Sequence, residues 1–337
     1  MSPRVVGLLA ALTTILIWSA FIVVARASAD PARQPTLGSF DIVAARLLGA
    51  GLVLLPAGWW LTRRKRQQAR AEGSAQVPGS LWGLSPLPLG ITVQMGVLGG
   101  LLYGMLAYAG FAFAPAAHAS VLMPGSLPLW TALLALLLLG ERPTRARIVG
   151  LVCIVGGDLL VGGSSLLHAL DGSGIWRGDV LFIASSIVWS SYAVLVRKHG
   201  VQAVEATTSI AVFAALTYLP VYALLMVAGV VPPRLLTAPA SDVLFQMLMQ
   251  GIGSVVISGI SFNLMIRYFG PVRSTMLTAV VPGLSALLAA LLLREPLPWN
   301  VLAGLTLVTV GIVFGVYRIQ RPAGSTVAPA ATSAPKA

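Results

Sequence analysis

The sequence predicts an all-α polytopic membrane protein: ten transmembrane helices in two inverted five-helix repeats. Of its 337 residues, 57% are hydrophobic and only 9% are charged, whereas about a quarter of the residues in a soluble domain are charged. Apolar stretches near 20 residues, long enough to cross a bilayer, recur along the chain. The two halves resemble each other, and the basic residues fall in short loops. The net charge of +12 therefore indicates membrane topology and not nucleic-acid binding.

The repeat shows in two registers. Segments 7–26 and 178–197 match at an offset of 171, which carries Gly7, Trp18, Ser19 and Arg26 onto Gly178, Trp189, Ser190 and Arg197. An offset of 154 carries Gly99, Ser120, Pro128, Glu141, Gly150 and Gly157 onto Gly253, Ser274, Pro282, Glu295, Gly304 and Gly311. A long basic loop after residue 61 accommodates the difference between the offsets. Duplicated sets of membrane spans are typical of transporters whose site lies between the halves.

The apolar stretches predict ten spans in order along the chain. They are 5–25, 40–61, 90–113, 117–139, 147–165, 178–197, 206–228, 243–266, 273–293 and 299–317. The first is longer than the 7–15-residue core of a signal peptide, and we interpret it as a span. The predicted units are a first repeat, 1–166, with a basic cytoplasmic loop at 62–89; a second repeat, 167–319; and a disordered cytoplasmic tail, 320–337.

The positive-inside rule sets the orientation. With both termini cytoplasmic, sixteen of the 22 Lys and Arg residues lie inside, five lie outside and Arg46 lies within a span. Each half has five spans, an odd number, so the second half must be inverted. We expect a multi-pass protein of a bacterial-type cytoplasmic (inner) membrane, surrounded by the lipid bilayer.

The stretch 107–157 resembles the EamA-type repeat of the drug/metabolite transporter superfamily. The resemblance rests on Pro128 in mid-span, Gly-Glu-Arg at 140–142, and two spaced glycines, with a weaker copy at Pro282 and 291–296. Arg46 looks like the arginine in that family's second helix, although the second half has no counterpart. The resemblance implies ten helices around a central cavity and the export of small metabolites. Within the superfamily the chain is similar to YddG-type exporters of aromatic amino acids.

The repeated Trp-Ser pairs are candidate cavity residues. Trp18, Ser19, Trp189 and Ser190 lie within spans at symmetric positions. Tryptophan usually occupies the membrane interface, so a buried symmetric pair could form facing walls for a flat apolar substrate. Helix packing is the alternative interpretation.

The third and eighth spans carry a second pattern. Gly96, Gly100 and Gly104 recur every four residues, and the 154 offset carries them onto Gln250, Ser254 and Ser258. Small residues at this spacing permit close helix packing. A shared cavity lining, with hydrogen bonds from the second half, is the other interpretation. Tyr103 and Asn263 are further cavity candidates.

The mid-helix prolines, Pro128 and Pro282, are candidate kinks or hinges. Proline lacks an N–H, so the carbonyls of Pro124 and Thr278 lose their helical donors. Those carbonyls could accept from a substrate ammonium, or the prolines could shape the helices only.

Ionisable residues within spans indicate functional sites. Arg46 could bind a substrate carboxylate, snorkel outward or pair with Asp41. His118, near the outer mouth, and Asp158, in the fifth span, are candidates for proton coupling, with a surface histidine and a peripheral aspartate as the alternatives. Glu141 and Glu295 sit at helix ends, where capping and local ion pairs are expected.

This residue set favours a transporter of small amphipathic solutes. Few fixed charges within the spans argue against phosphate esters, while aromatic residues suit aromatic or hydrophobic amino acids moved by alternating access. A proton-coupled exporter of drugs or organic cations is the alternative, and a receptor or scaffold is another class. Zinc motifs, paired aspartates and Ser/His dyads are absent from the sequence. We therefore expect that the protein is not an enzyme and that it binds no cofactor or metal. The sequence does not decide between a monomer and a homodimer.

Overall fold

The computed structural model describes residues 2–73, 79–163, 167, 172, 174–278 and 280–317. Apart from short helical turns at Pro31–Arg33, Leu81–Gly83 and Arg234–Thr237, the backbone within these ranges forms ten long helical segments. They are α1 (Pro3–Ala29), α2 (Ser39–Ala71), α3 (Leu89–Phe113), α4 (Ala116–Leu139), α5 (145–163), α6 (Ile175–Lys198), α7 (Ala203–Val227), α8 (Ala240–Phe269), α9 (Pro271–Leu293) and α10 (Trp299–Tyr317). We call the membrane side on which α1 begins the N-side, and the side on which α1 ends the far side.

Eight of these helices, among the described residues, are long and apolar enough to cross a membrane. The prediction of an all-α multi-pass membrane protein is confirmed. The other two, α5 and α10, are shorter apolar helices that pack against each other. That they also cross, which would give ten spans, stays a prediction.

The two halves interleave. Helix α1 of the first half packs on α8 of the second, and α6 of the second half packs on α3 of the first. Because α1 corresponds to α6 and α3 to α8 in the repeat registers, the two contacts are related by pseudo-twofold symmetry. This exchange places the centre of the molecule between the repeats, as expected for an inverted duplication.

Widened helical turns occur at equivalent places in α3 and α8, over Gly96–Leu102 and Met247–Ile257. At the second of these, α2 and α8 approach backbone to backbone through glycine. A Cβ on Gly49 would lie 2.2 Å from the carbonyl oxygen of Met247, and one on Gly251 would lie 2.8 Å from that of Arg46. Small residues permit this approach, and it sets the α2 arginine directly beside α8.

The first part of the predicted basic loop is helical, because it belongs to α2. Residues 62–89 do not begin as a loop, because α2 continues as a helix to Ala71, ten residues past the predicted span end. Its Lys65 forms a 2.7 Å salt bridge with Glu205 of α7. Hydropathy marks where the apolar segment ends, whereas Arg, Lys, Gln and Ala are good helix formers that prolong the helix beyond it. The predicted tail, 320–337, lies outside the described residues.

Candidate functional site

The two repeat-related tryptophans meet at the centre of the molecule. The ring centroids of Trp18 and Trp189 are 5.9 Å apart at an interplanar angle of 75°. Tyr103 of α3 lies 4.6 Å from Trp189, and Phe262 of α8 lies 4.9 Å from Trp18. Edge-to-face and tilted pairs at these separations are favourable. The sequence prediction that the Trp pair is internal, and not interfacial, agrees with this placement.

The two indoles differ in their hydrogen bonding. The Nε1–H of Trp18 donates to Ser258 Oγ at 3.2 Å, whereas the buried Nε1 of Trp189 has no partner among the described residues. A buried donor without a partner costs free energy. Trp189 therefore retains a donor that a bound solute or a water could satisfy.

A small cavity lies beside the pair. Its volume is about 10 Å³, which is close to the minimum for one water molecule, and it is lined by Trp18, Phe21, Ile22, Tyr103, Met123, Pro124, Leu127 and Trp189. The aromatic rings thus fill most of the space between the repeats. In this conformation the centre is closed to any solute as large as an amino acid.

Arg46 lies next to this aromatic group. Its side chain is buried, with 7% of the residue exposed, and its guanidinium carbon lies 5.7 Å from the ring centroid of Phe21. It donates to Tyr108 Oη at 3.3 Å and to Ser254 Oγ at 3.4 Å. In the described part of the chain no carboxylate lies within 4 Å of it. Arg46 is therefore a buried cation held by neutral hydroxyls.

Two predicted alternatives for Arg46 are wrong. It does not snorkel outward, because it is buried, and it does not pair with Asp41. The carboxylate of Asp41 instead accepts from the backbone N–H of Gly38 and from Tyr222 Oη. Asp41 lies in the first turn of α2, so the helix N-terminus and a neighbouring tyrosine compensate its charge.

Gln250, close to Arg46, carries a second buried N–H donor that has no partner among the described residues. The hydroxyl of Tyr108 donates to Gln250 Oε1 at 2.8 Å. The Nε2 group of Gln250 is buried and has no partner among the residues that the structure describes. Tyr108 thus joins the amide to the guanidinium. Tyr108 was not among the residues predicted from the sequence, which does not show where a tyrosine hydroxyl within a span finds its partner.

A line of polar side chains on α8 connects these contacts. Each of its four members, one turn apart, bonds to a different residue on α1, α2 or α3: Gln246 with Ser28, Gln250 with Tyr108, Ser254 with Arg46 and Ser258 with Trp18. We call these four residues the α8 polar line. It runs from the far side to the aromatic centre, so the predicted lining role of α8 has a geometric basis.

The serines beside the tryptophans do not face the cavity. Ser19 Oγ donates to the carbonyl of Ile15 in its own helix at 2.8 Å. Ser190 Oγ accepts from Thr131 Oγ1 at 3.1 Å and donates to the Leu127 carbonyl, which joins α6 to α4. Their recurrence reflects helix packing, and the predicted contact with substrate is not supported in this conformation.

Gly100 and Asn263 also serve packing. A Cβ on Gly100 would lie 2.9 Å from the side chain of Ala214 and 3.0 Å from that of Ile210, both on α7. The Asn263 side chain accepts from Tyr192 and donates to Thr207 and to its own helix. The hydrogen bonds of Asn263 are therefore made within the α6–α7–α8 interface, and Gly100 packs against α7. Neither residue is placed to bind a solute.

The prolines mark interrupted helices. Just before Pro128, the turn Val121–Gly125 is widened, and its Pro124 lines the cavity. Before Pro282, α9 is interrupted at Thr278, whose carbonyl accepts from Val281 N at 2.9 Å. The expectation that the Thr278 carbonyl has no donor is therefore wrong, because the tighter turn brings the N–H of Val281 to it. A hinge role for both prolines stays a prediction.

His118 and Asp158 have different surroundings. His118 is not a surface residue: its Nδ1 lies 2.9 Å from Oδ1 of Asp179, a fully buried carboxylate on α6 that the sequence analysis overlooked. Asp158 lies on α5, whose main neighbour is α10, and its buried Oδ1 has no partner in the described ranges. A coupling role for either stays a prediction.

Glu295 bridges the repeats on the far side. It accepts from Arg26 Nε at 2.8 Å and from the backbone N–H of Ala116, the first residue of α4, at 2.9 Å. Arg26 also donates to the carbonyl of Phe111 at 2.7 Å. The expected local ion pair is therefore an interhelical one that joins α1, the α3–α4 turn and the end of α9. Glu141, its repeat counterpart, is exposed.

Interleaved inverted repeats, with a buried cation and an aromatic group between them, define a membrane transporter. The chain belongs to the EamA-like transporter family, whose profile matches residues 5–163 and 176–317, and hence to the drug/metabolite transporter superfamily. It is not an enzyme. One crystal structure, of a protein without a stated activity, matches this chain with a TM-score of 0.58 and 22% sequence identity. The match covers 94% of this chain and 99% of that chain. This similarity shows the fold alone. No curated protein sequence matches.

Proposed function

We propose that the protein exports small amphipathic metabolites, aromatic or hydrophobic amino acids first among them, by alternating access. The observation that carries the proposal is the position of Arg46. A buried guanidinium without a carboxylate partner among the described residues lies against Phe21, and Phe21 lines the same cavity as Trp18 and Trp189. A cation beside aromatic rings matches a solute with a carboxylate and an aromatic side chain.

The donors around Arg46 suit one carboxylate. A guanidinium can donate two parallel hydrogen bonds to a carboxylate, and its present partners are two hydroxyls at 3.3 and 3.4 Å, which are long enough to be replaced. The unpartnered Nε2 of Gln250 supplies another donor. A single buried cation cannot compensate a diphosphate, because unpaired buried charge is costly. The site therefore favours a singly charged or zwitterionic solute.

The aromatic group supplies the apolar half of the site and its gate. Trp18, Trp189 and Phe262 contact one another, and Tyr103 contacts Trp189. The cavity beside Trp18, Trp189 and Tyr103 is small. A solute can enter only if these rings separate. Since the rings belong to both repeats, separation requires α1 and α8 to move relative to α3 and α6. Each of the two moving pairs contains one helix of each repeat. Movement of one bundle of helices against the other is the expected form of alternating access.

The orientation follows from the charge bias in the sequence. We place the N-side in the cytoplasm of a bacterial-type inner membrane, with export toward the far side. Transport down the solute gradient is the simplest coupling.

Flux measurements test the proposal. Purified protein in proteoliposomes, without a pH gradient, is assayed for tracer tryptophan and phenylalanine. We expect saturable flux that unlabelled hydrophobic amino acids block and that a nucleotide sugar does not. Arg46→Gln should reduce it at least tenfold, whereas the matched control Arg63→Gln changes an exposed arginine on the same helix and should leave it unaltered. Absence of saturable flux, or equal loss in both variants, contradicts the proposal.

The alternative substrate is an organic cation in exchange for protons. The aromatic group favours it, since rings attract cations, and the pair of His118 and Asp179 supplies a protonatable group. The buried charge of Arg46 opposes it. Competition by β-phenethylamine, which lacks the carboxylate, together with flux only under a pH gradient, would support this alternative. Specific binding of a solute without any flux would point to a receptor.

A further inference from the structure

The far side of the molecule contains a second polar cavity, between the α1–α2 connection and the start of α8. Its volume is about 300 Å³, within the range of small-molecule sites. The polar groups that line it are Ser28, Arg33, Gln34, Thr36, Asp242 and Gln246. We propose that this cavity binds a zwitterionic α-amino acid. The inference rests on the proposed function and extends it, because it assigns a second site on the release side.

The first wall of the cavity is acidic. Asp242 Oδ2 accepts from Thr36 Oγ1 at 2.8 Å, and Oδ1 accepts from Ser241 Oγ at 3.3 Å. No cation lies within 4 Å of this carboxylate in the part of the chain that the structure describes. The hydroxyls orient the carboxylate, and the N-terminus of α8 stabilises its charge in part, but no side-chain cation neutralises it. An ammonium group is the ligand that this arrangement fits.

Gln246 points to a ligand independently. It lies one turn after Asp242 on α8 and is buried, with 5% of the residue exposed. Its Nε2 donates to Ser28 Oγ at 2.8 Å, which fixes the orientation of the amide. Its buried Oε1 has no partner among the described residues. Gln246 is one of the residues that line the cavity, and a buried acceptor without a partner is costly. An ammonium group that reached Oε1 would satisfy it together with Asp242.

Arg33 provides the opposite charge. It donates to the Leu293 carbonyl at 2.9 Å and lies 3.7 Å from Asp30. A guanidinium has five N–H groups, so donors remain for a carboxylate. Acceptors on α8 and a cation on the α1–α2 connection together recognise a zwitterion. A simple amine has no carboxylate to pair with Arg33. An acid without an ammonium group would be repelled by the carboxylate of Asp242.

Helix α8 connects this cavity to the residues around Arg46. Gln246 is the first member of the α8 polar line, and Gln250, the second, belongs to the Arg46 group. The repeat counterpart of Gln246 is Thr92, which is buried and bonded to Ser85 Oγ at 2.7 Å. On the N-side, therefore, the segment at 79–88 occupies the corresponding place. Among the described residues this cavity therefore has no counterpart at the symmetry-related place, although the N-side has another cavity, of about 290 Å³, at the α6–α7 connection.

Protection from alkylation tests the assignment at the cavity itself. Cys153, the only cysteine, is replaced by serine, and Gln34→Cys places a thiol at the cavity wall. We expect phenylalanine to slow labelling by a maleimide at least fivefold. Ala32→Cys, on an exposed residue of the same connection outside the cavity, is the matched control and should show no protection. β-Phenethylamine and 3-phenylpropionate, which each carry one of the two charges, should protect less than twofold.

Variants of the acidic wall complete the test. Asp242→Asn in the Gln34→Cys protein should abolish protection. Thr36→Val, which keeps the charge and removes the orienting hydroxyl, should reduce protection two- to threefold, so the test does not depend on one variant folding. Full protection in Asp242→Asn overturns the site, as does absent protection in a protein that still binds tracer phenylalanine. Equal protection by β-phenethylamine overturns the zwitterion assignment. If no phenylalanine binds to the purified protein, the proposed function fails, and this inference fails with it.

Discussion

Trp18 and Trp189 occupy equivalent positions in the two repeats and contact each other edge to face, with ring centroids 5.9 Å apart. The indole of Trp18 donates to Ser258, whereas that of Trp189 has no hydrogen-bond partner among the described residues. The symmetric pair is therefore chemically asymmetric. Because α8 has serine where α3 has Gly104, the second repeat supplies the polar contacts for both halves of the centre.

This asymmetry predicts unequal effects of matched substitutions. Trp18→Phe keeps a ring but removes the bond to Ser258, which should cost about 1 kcal/mol more than Trp189→Phe. The melting temperature of the purified, substrate-free protein measures the difference. Trp59→Phe, on an exposed tryptophan of α2, is the control and should match wild type. A greater loss in Trp189→Phe than in Trp18→Phe would contradict the assigned hydrogen bond.

Tyr108 should be essential for substrate affinity. Tyr108→Phe removes the hydroxyl that accepts from Arg46 and donates to Gln250. Without this hydroxyl the guanidinium and the amide are no longer held in position for a carboxylate, and the loss of an interaction of about 1–3 kcal/mol corresponds to a five- to 150-fold rise in KM for phenylalanine. Tyr268→Phe, on an exposed tyrosine of α8, should have no effect. An unchanged KM in Tyr108→Phe would mean that Arg46 and Gln250 do not act together.

Gly49 should tolerate no larger residue. In Gly49→Ala the new Cβ would lie 2.2 Å from the Met247 carbonyl oxygen, a backbone atom that a side-chain rotation cannot move away. We expect α2 and α8 to separate, with a fall in melting temperature and in flux. Gly90→Ala is the control, because Gly90 is helical, exposed and has open space at its Cβ. It should be neutral or slightly stabilising, by up to about 1 kcal/mol. Equal behaviour of the two variants would exclude the close approach.

The Arg26–Glu295 pair should hold the two repeats together on the far side. Both side chains are nearly buried, at 13% and 12% exposure, and the carboxylate also accepts from Ala116 N. Glu295→Gln should lower stability by about 1–3 kcal/mol and raise the labelling rate of Gln34→Cys. A double-mutant cycle with Arg26→Gln should show coupling. Glu72→Gln, at the exposed end of α2, is the control; additive effects of the first two variants would rule out the pair.

The fold was predictable because its signals are local or periodic. Each span is an apolar run of fixed minimum length, and the recurrence of Gly7, Trp18 and Arg26 at one offset exposes the duplication without any knowledge of contacts. An odd number of predicted spans per half then implies inversion. Helix ends were less predictable, as α2 shows, because a basic segment can continue a helix outside the membrane.

The site was predictable in part. Trp18, Trp189, Arg46 and Gln250 were identified because large aromatic and polar residues are unusual within spans. Tyr108 and Asp179 were missed, since a tyrosine or an aspartate near a span end carries no distinctive signal until its partner is known. Ser19 and Ser190 were wrongly assigned to the cavity for the same reason: a hydroxyl can bond to its own helix or to a neighbouring one.

The sequence by itself determined the class of protein, the repeat and its inversion, because hydropathy, spacing and charge bias are properties of the chain in order. Only the tertiary structure decided which side chains meet. The guanidinium of Arg46 and the ring of Phe21 belong to different helices, and Asp242 and Arg33 lie 209 residues apart. Their proximity depends on helix rotation and on glycine contacts such as that of Gly49. These arise from packing between the repeats, which no local pattern encodes.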